Sequence, residues 1–211
     1  MHRRVARRIR SATLLVCIGA MAPCVPISNV AGGDTLPSVP EFSGTLIKRV
    51  NGKKSLAHVY AKGMRIRLEY RDAVRTELGF AAIEIVRPDL AEIWYVLPQQ
   101  KQLLVLPITD DILSIRPELV GETCRIAVGD ATAAGRAARL FDVQTDHHGH
   151  LERFYQWVDA ETGIMLKLVS QDRDWSFEYE RIRISPQPSL YFEEPRGYRK
   201  RRSETSRRSR E

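Results

Sequence analysis

A cluster of histidines and aspartates is the most metal-like feature of the sequence: Asp142, Asp146, His147, His148 and His150. Imidazoles at this spacing can share a metal ion, and copper or nickel in excess would bind them. The cluster nevertheless lies between two strand-like runs and contains a glycine, which is typical of an exposed hairpin loop. We therefore expect a loop here and assign no metal site.

Two further residues could do chemistry but have plainer interpretations. His58 lies in a strand-like run beside Val59 and Tyr60, and we interpret it as a hydrogen-bonded histidine at the edge of the core rather than a general base. Cys124 precedes Arg125, a cation that would activate a thiol on the same face, but neighbours on a strand point to opposite faces. Cys124 is therefore interpreted as a small buried hydrophobic residue.

Paired carboxylates complete the chemical candidates. Asp110–Asp111 and Glu193–Glu194 lie at an expected helix start and an expected strand end, where helix capping and protection of a sheet edge explain them. The sequence contains no glycine-rich phosphate loop, nucleophile elbow or zinc-protease motif. We expect a protein that is not an enzyme, with no catalytic residue and no cofactor.

The net charge of +7 is concentrated at the two ends of the 211-residue chain. Residues 1–33 contain five arginines and no acidic residue, and residues 199–211 contain seven basic residues against two acidic ones. The stretch between them is net acidic, so the basic charge is no evidence for a nucleic-acid-binding domain. The length suits one domain with a large apolar core.

Residues 1–31 are typical of a signal peptide. A basic start, MHRRVARRIR, precedes an apolar stretch with small residues, and Ala31 ends a suitable cleavage sequence. Export to the periplasm is therefore expected, with an extended leader over residues 32–41. Cys24, in MAPC, leaves lipoprotein processing as an alternative to signal peptidase I, although the preceding proline fits lipoprotein processing poorly. After cleavage Cys124 would be the only cysteine, and no intramolecular disulfide is expected.

Period-two alternation dominates residues 42–198. In MRIRLEY, Met64, Ile66, Leu68 and Tyr70 fall on one side and charged residues on the other, as in a half-buried strand. NGKK predicts a hairpin turn between two earlier strands, and WSFEYERIRI changes parity near Glu180–Arg181, which predicts a β-bulge. Ten or eleven short strands joined by turns predict a mainly β fold with a strongly curved antiparallel sheet.

The second face of this sheet also carries large side chains that must be shielded from water. AEIWYVL and ERFYQWV carry large side chains on both faces, and the single expected helix, TDDILSIRPEL at residues 109–119, is too short to cover a wide sheet. Two alternatives follow. Either a concave surface is open to an apolar guest, or the chain folds its own loops over that face.

Five stretches in order resemble the sequence frame of the outer-membrane lipoprotein-sorting (LolA-like) superfamily, in a broader periplasmic branch rather than the lipoprotein carrier itself: FSGTLIKRVNGKKSLAHVYAKGMRIRLEY, IVRPDLAEIWYVLPQQKQLLVLPI, AAGRAARLFDV, WVDAETGIMLKL and LYFEEPRGYRK. The resemblance implies an incomplete, half-open β-barrel with one or few short helices over residues 42–198. It implies that the LYFEEPRGY element is the terminal strand and its stop, with Phe192 at the core edge. It also implies a hydrophobic cavity for acyl chains or a lipidated partner. The carrier's Lys-Arg-Pro-Asn lid motif is absent, since AKGMRIR occupies that position.

The function expected from this resemblance is non-enzymatic binding of a lipid, an acyl chain or a lipidated partner, with a role in lipid or lipoprotein transport to the outer membrane. The cavity would be lined by large apolar residues of the strands: Trp94, Leu104, Tyr155, Trp157 and Met165. The alternative is a regulatory or protein-interaction module of the same fold with a self-filled concave face, comparable to anti-sigma-factor-binding proteins that share the architecture. A monomer is expected in either case.

Residues 199–211 are expected to form a disordered basic tail because no apolar residue follows Tyr198. In an envelope compartment the available polyanions are lipid headgroups and lipopolysaccharide phosphates, so the tail could associate peripherally with an anionic membrane surface. A solvated tail without a partner is the alternative. The contacts expected at such a surface are basic: Arg199, Lys200, Arg201, Arg202, Arg207 and Arg208.

Overall fold

The computed structural model describes residues 39–108, 115–147 and 149–203. Within them lie twelve strands: β1 Phe42–Val50, β2 Lys53–Lys62, β3 Arg65–Thr76, β4 Gly79–Arg87, β5 Glu92–Leu97, β6 Gln102–Pro107, β7 Glu122–Ala133, β8 Arg136–His147, β9 His150–Asp159, β10 Met165–Ser170, β11 Trp175–Ile184 and β12 Arg199–Arg202. Two 3₁₀ turns, Pro88–Leu90 and Ser189–Phe192, are the helical elements of the described residues. None of the described helices has the length and apolarity needed to cross a membrane.

All twelve strands belong to one open, curved sheet, as the sequence predicts. Its order is β12-β6-β5-β4-β3-β2-β1-β11-β10-β9-β8-β7, which places two antiparallel meanders, β1–β6 and β7–β11, side by side. The pairing of β1 with β11 joins the meanders, and β12 pairs in parallel with β6 at one edge. The sheet therefore ends at β12 on one side and at β7 on the other.

The predicted turn between β1 and β2 is a tight hairpin. Asn51 and Gly52 connect the strands with φ angles of 49° and 73°. Two consecutive residues with positive φ match a type I′ turn, whose twist suits neighbouring strands. The Asn-Gly pair therefore sets the register of the first hairpin.

The predicted β-bulge in β11 is also confirmed. The pairing of β1 with β11 shifts by one residue opposite Gly44, and Arg181 in the shifted stretch has a φ of 53°. The Glu180 carbonyl oxygen approaches so closely that a Cβ added at Gly44 would lie 2.9 Å from it. Glycine is required at this position because the bulged backbone occupies the space of a side chain.

The two faces of the sheet differ in what covers them. We call inner face the side that carries Phe42, Leu46, Val59, Leu68 and Tyr179, which are at most 2% exposed and belong to the main hydrophobic core. A second cluster of β4–β6 lies on the opposite, outer face: Ile85, Trp94, Val96, Leu103 and Val105. Both faces of the β4–β6 region are therefore buried.

Three sequence expectations need correction. The expected terminal strand at LYFEEPRGY is a 3₁₀ turn, although Phe192 is fully buried. Pro195 does not stop pairing, because Pro195–Tyr198 forms a turn, closed by the Tyr198 N–H to the Pro195 carbonyl, that leads into β12. Residues 199–202 of the expected disordered tail form β12, because main-chain hydrogen bonds to β6 order this polar segment without apolar side chains. The expected helix lies largely outside the described residues, and residues 115–119 contain no helix.

Candidate functional site

A carboxylic acid lies on the inner face of the N-terminal meander. Glu84, in the middle of β4, pairs with Leu68 of β3 on one side and with Tyr95 of β5 on the other. Paired residues of adjacent strands project to the same face, so Glu84 stands in a row with a core leucine and a tyrosine. This row continues through Leu104 of β6, which is 1% exposed.

Two tyrosine hydroxyls hold the Glu84 carboxyl. The Tyr70 hydroxyl donates to Glu84 Oε2 at 2.6 Å, and the Tyr95 side chain hydrogen-bonds the same carboxyl. Burial raises the pKa of Glu84, and the two tyrosines and the nearby Lys48 ammonium only partly offset this effect. Burial also raises the pKa values of Tyr70 and Tyr95, with the Glu84 charge acting in the same direction.

This cluster can bind a polar group. A carboxyl with a raised pKa can donate a hydrogen bond in its neutral form and accept one in either form. Among the described residues, the hydrogen-bond partners of the Glu84 carboxyl are tyrosines, and none is a serine, threonine or cysteine nucleophile. No group of three or more His, Cys, Asp or Glu residues within the described ranges is arranged to hold a metal ion.

The described part of the connection between β6 and β7, residues 115–121, lies over the inner face of the other meander. Ile115, in this connection, is 2% exposed and belongs to the main core. Its carbonyl accepts a hydrogen bond from the Met165 N–H of β10 at 3.2 Å. Leu119 and Ile108 also pack against the main core. Ile115 and Leu119 therefore make the described part of the connection a part of the hydrophobic core.

A polar network fastens this connection to the sheet. The Arg125 guanidinium donates to Glu122 at 2.7 Å through two nitrogens, to Gln156 Oε1 at 2.7 Å and to the Pro117 carbonyl at 2.6 Å. The buried Gln156 amide nitrogen donates to the same Pro117 carbonyl at 2.8 Å and to the Met165 sulfur. We call Arg125, Glu122, Gln156 and the Pro117 carbonyl the latch. Because both ends of the Gln156 amide are used, the latch satisfies a buried polar side chain while fixing the connection.

The outer face of the N-terminal meander is covered by residues 185–203, which we call the C-terminal strap. The Arg67 guanidinium donates to the Tyr191 carbonyl at 3.1 Å and lies 5.5 Å from the Tyr191 ring centre. Arg87 donates to the Phe192 carbonyl at 2.8 Å. Tyr198 packs against the outer cluster. Arginines of the sheet thus bind the C-terminal strap by donating to its main-chain carbonyls and by lying against its aromatic rings.

The residues expected to line one cavity lie in different parts of the molecule. Leu104 is in a small inner-face cluster of β4–β6, and Met165 is fully buried in the main core beneath the latch. Tyr155 and Trp157 lie on the face of β9 opposite Gln156, where Tyr155 is 40% exposed and the Lys167 ammonium lies 5.2 Å from the Trp157 ring. Trp157 also packs against the main core, so the structure brings it together with Met165, while Leu104 and Trp94 belong to other clusters.

Trp94 is a core residue of the outer face. It is 2% exposed, its indole N–H donates to Glu92 at 2.8 Å, and it packs in the outer cluster. The Arg87 guanidinium and the Lys200 ammonium lie 4.9 and 5.1 Å from its ring centre. Two cations and the C-terminal strap therefore occupy the surface of this ring that a ligand would need.

The basic residues of the expected membrane contact divide into three groups. Lys200 and Arg202 form ion pairs with Glu194 and Glu92, at 2.7 and 2.9 Å. Arg199 and Arg201 are exposed and form no ion pair among the described residues. The remaining two, Arg207 and Arg208, lie outside the described residues.

The other chemical candidates are structural. His147 pairs with His150 across the β8–β9 hairpin, where Asp146 accepts a hydrogen bond from the Gly149 N–H at 2.7 Å, so the predicted hairpin is confirmed. His58 does not lie at the core edge as expected: it is exposed, with its ring 4.8 Å from that of Tyr60. Cys124 is buried as expected, but it is disulfide-bonded. The expectation of no intramolecular disulfide is therefore wrong for this chain.

Glu84 and Arg125 were missed as site residues. Glu84 lies between Ile83 and Ile85 in AAIEIV, and a charged residue at the centre of a strand that is apolar on both faces must enter a covered face. The sequence alone could therefore have identified Glu84 as a carboxyl on a covered face. Arg125 gave no comparable signal, because its partners Gln156 and Pro117 are distant in sequence.

The sheet topology of the described residues places the chain in a fold class that solved structures share. The fold is LolA-like, and MucB is among its structural neighbours. The resemblance predicted from the sequence is therefore confirmed at the level of the fold. No protein-family model matches the chain, and no curated protein matches it.

The crystal structure of MucB aligns with a TM-score of 0.51 and 19% identity over 76% of this chain and 59% of that chain. The complex of MucA and MucB from Pseudomonas aeruginosa gives a TM-score of 0.49 and 18% identity over 74% of this chain and 56% of that chain. A putative outer membrane lipoprotein-sorting protein domain from Vibrio parahaemolyticus gives 0.39 and 10%, over 74% and 90%. This chain thus spans 59% of the length of MucB. At these identities the likeness concerns the fold alone.

Proposed function

We propose that this protein is a non-enzymatic binding module of the cell envelope whose ligand is another protein, not a lipid held in the sheet. The position of Ile115 carries the proposal: this residue, in the described part of the connection between β6 and β7, occupies the inner face where a carrier of this architecture would need space. A self-filled face removes the cavity but keeps the surface and the edges of the sheet for a partner.

The latch supports this proposal because it makes the filled state costly to leave. Displacing the described part of the connection would leave Arg125 and Gln156 without the Pro117 carbonyl, and would return Ile115 to water. Burying a polar group without its partner costs about 1–3 kcal/mol, and exposing an isoleucine costs about 1.5–3 kcal/mol. An acyl chain would have to offset both losses before it gained any affinity.

A second candidate function is favoured by the Glu84 cluster. A carboxyl with two tyrosine hydroxyls in an otherwise apolar face could hold the polar end of a lipid or of a lipidated partner, with the acyl chain along the inner face near Leu104. In this reading the connection moves aside, and the protein takes part in lipid or lipoprotein transport to the outer membrane.

Organic extraction and mass spectrometry of the protein purified from its own envelope distinguish the two candidates. The protein-binding module should release no lipid at a stoichiometric level, and titration with a long-chain fatty acid should give no saturable change in tryptophan fluorescence. A stoichiometric lipid that is lost in the Glu84→Gln variant would overturn the proposal and establish the second candidate. Glu178→Gln, which removes a carboxylate on the outer face, is the matched control.

The envelope location rests on the leader and is part of the proposal. Cleavage after Ala31 predicts a secreted chain that begins at Gly32. N-terminal sequencing of the protein from a periplasmic extract should read GGDTLPSV. A chain that retains Met1 and stays in the cytosol would contradict export.

A further inference from the structure

We propose that β12 is a docking edge for an acidic, extended peptide segment of a partner protein. This inference rests on the proposed function, since it names the partner class and the surface of a protein-binding module. Two independent observations carry it: the main-chain edge of β12, which no strand of the described residues pairs with, and the sorting of its four basic side chains.

The main chain of β12 is half used. Its hydrogen bonds to β6 include the Arg199 N–H to the Lys101 carbonyl at 3.0 Å, and the following Ser203 N–H donates to Val105 at 3.2 Å. In a parallel pair, alternate residues bond to the same neighbour, so the main-chain groups of Lys200 and Arg202 point away from β6. Since β12 ends the sheet, these groups form an edge on which another strand can pair.

The side chains of β12 are sorted by face. Lys200 and Arg202 share the outer face with Trp94 and are neutralised by Glu194 and Glu92. Arg199 and Arg201 project to the opposite side, are exposed, and have no ion pair within the described part of the chain. The edge therefore offers two uncommitted guanidinium groups in one direction.

The spacing of these two groups fits an added strand. Side chains two residues apart on a strand are about 6.6 Å apart, and a strand paired at the edge lies about 4.8 Å away with the same repeat. Carboxylates at alternate positions of an extended peptide would thus face Arg199 and Arg201 one to one. Guanidinium groups bind carboxylates in a bidentate manner, which gives such pairs orientation as well as charge.

A peptide explains more of this edge than an anionic membrane surface does. Attraction to anionic lipids grows with the number of unpaired basic residues near the surface. Only two of the four cations of β12 are unpaired among the described residues, so the strand alone offers weak attraction to a membrane. Lipid headgroups also leave the outward N–H and C=O groups of Lys200 and Arg202 unused, whereas an added strand pairs with them.

The test measures binding of a fluorescein-labelled peptide of alternating glutamate and valine, Thr-Glu-Val-Glu-Val-Glu-Thr, by anisotropy with the full chain. Arg202→Pro removes an N–H that points away from β6, so proline is tolerated there while the edge loses a donor. Its matched control is Arg202→Ala, which loses the same side chain and keeps the N–H. A second pair compares R199E/R201E with R71E/R75E, which makes the same charge change at exposed positions of an interior strand.

We expect saturable binding that R199E/R201E weakens by about tenfold or more at low salt, since each exposed ion pair contributes up to about 1 kcal/mol and reversal adds repulsion. Arg202→Pro should abolish binding, while Arg202→Ala and R71E/R75E should bind like wild type. Equal binding by Arg202→Pro and Arg202→Ala would overturn the docking edge, because only charge would then matter.

Vesicles of phosphatidylglycerol provide the lipid arm. Retention of the protein on these vesicles, lost in R199E/R201E, together with no binding of the peptide, would overturn the proposal in favour of a membrane contact. These outcomes are separate from failure of the proposed function, which would appear as a stoichiometric lipid in the extraction experiment. Absence of both peptide binding and bound lipid would overturn the docking edge alone.

Discussion

Replacing Ile115 with alanine tests whether the inner face is filled by the chain itself. The side chain is 2% exposed and lies in the main core with residues of both meanders. If the connection is an integral part of the core, the substitution leaves a cavity that the surrounding strands cannot close. Truncation of a buried isoleucine to alanine costs about 2–5 kcal/mol, of which about 3 kcal/mol is expected here. Domains of this size have a total stability of about 5–15 kcal/mol.

The assay is equilibrium unfolding in urea. With a slope of about 2 kcal/mol per molar, a loss of about 3 kcal/mol lowers the midpoint by about 1.5 M without changing the slope. Ile115→Val should lose only about 0.5–1.5 kcal/mol, because it removes one methylene group. Ile184→Ala is the control on the surface, since Ile184 is 44% exposed, and it should lose less than about 1 kcal/mol. A cost below about 1 kcal/mol for Ile115→Ala, with an unchanged slope, would refute the filled inner face and reopen the lipid cavity.

Three further outcomes are expected. Gly44→Ala should lower stability by about 1–3 kcal/mol in thermal unfolding, because the new Cβ would meet the Glu180 carbonyl oxygen at 2.9 Å; wild-type stability would contradict the bulge geometry. Arg125→Met should cost about 2–4 kcal/mol in urea, since it leaves the largely buried Glu122 carboxylate unpaired, and a neutral effect would argue against the latch. Burial raises the pKa of Glu84, so the folded state binds its proton more tightly than the unfolded state does. Wild type should therefore lose stability relative to Glu84→Gln as pH rises above the ordinary carboxyl range, and a difference independent of pH would contradict this.

Much of the sheet could be predicted because apolar and polar residues alternate along its strands, and this alternation shows which side chains are buried. Ile66 and Leu68 are each 2% exposed, as MRIRLEY predicts, whereas Met64 at the start of that pattern lies in the turn before β3 and is 41% exposed. The parity change in β11 likewise predicted the bulge at Arg181. These features depend on contacts between adjacent strands, which local sequence encodes.

The covering of the two faces could not be predicted in the same way. Trp94 has the alternation of a residue at an enclosed face, but the C-terminal strap that covers it comes from the end of the domain. β12 contains only basic residues and pairs through its main chain, so no hydrophobic pattern marks it as a strand. Ile115 gave no signal either, since a short apolar stretch does not reveal which face it will cover.

The junction between β1 and β11 has a consequence for how the chain folds. Each meander can form from neighbouring hairpins, but β1 finds β11 only after almost the whole domain is available. Closing so long a loop is slow, because its entropy must be lost before the contacts form. Until then β1 is an unpaired edge strand. The apolar outer surface of β4–β6 is also exposed to solvent until the C-terminal strap covers it. During synthesis or export the N-terminal strands become available first. The chain is therefore most vulnerable to aggregation just before β11 and the C-terminal strap become available, and a chaperone would protect it most at that stage.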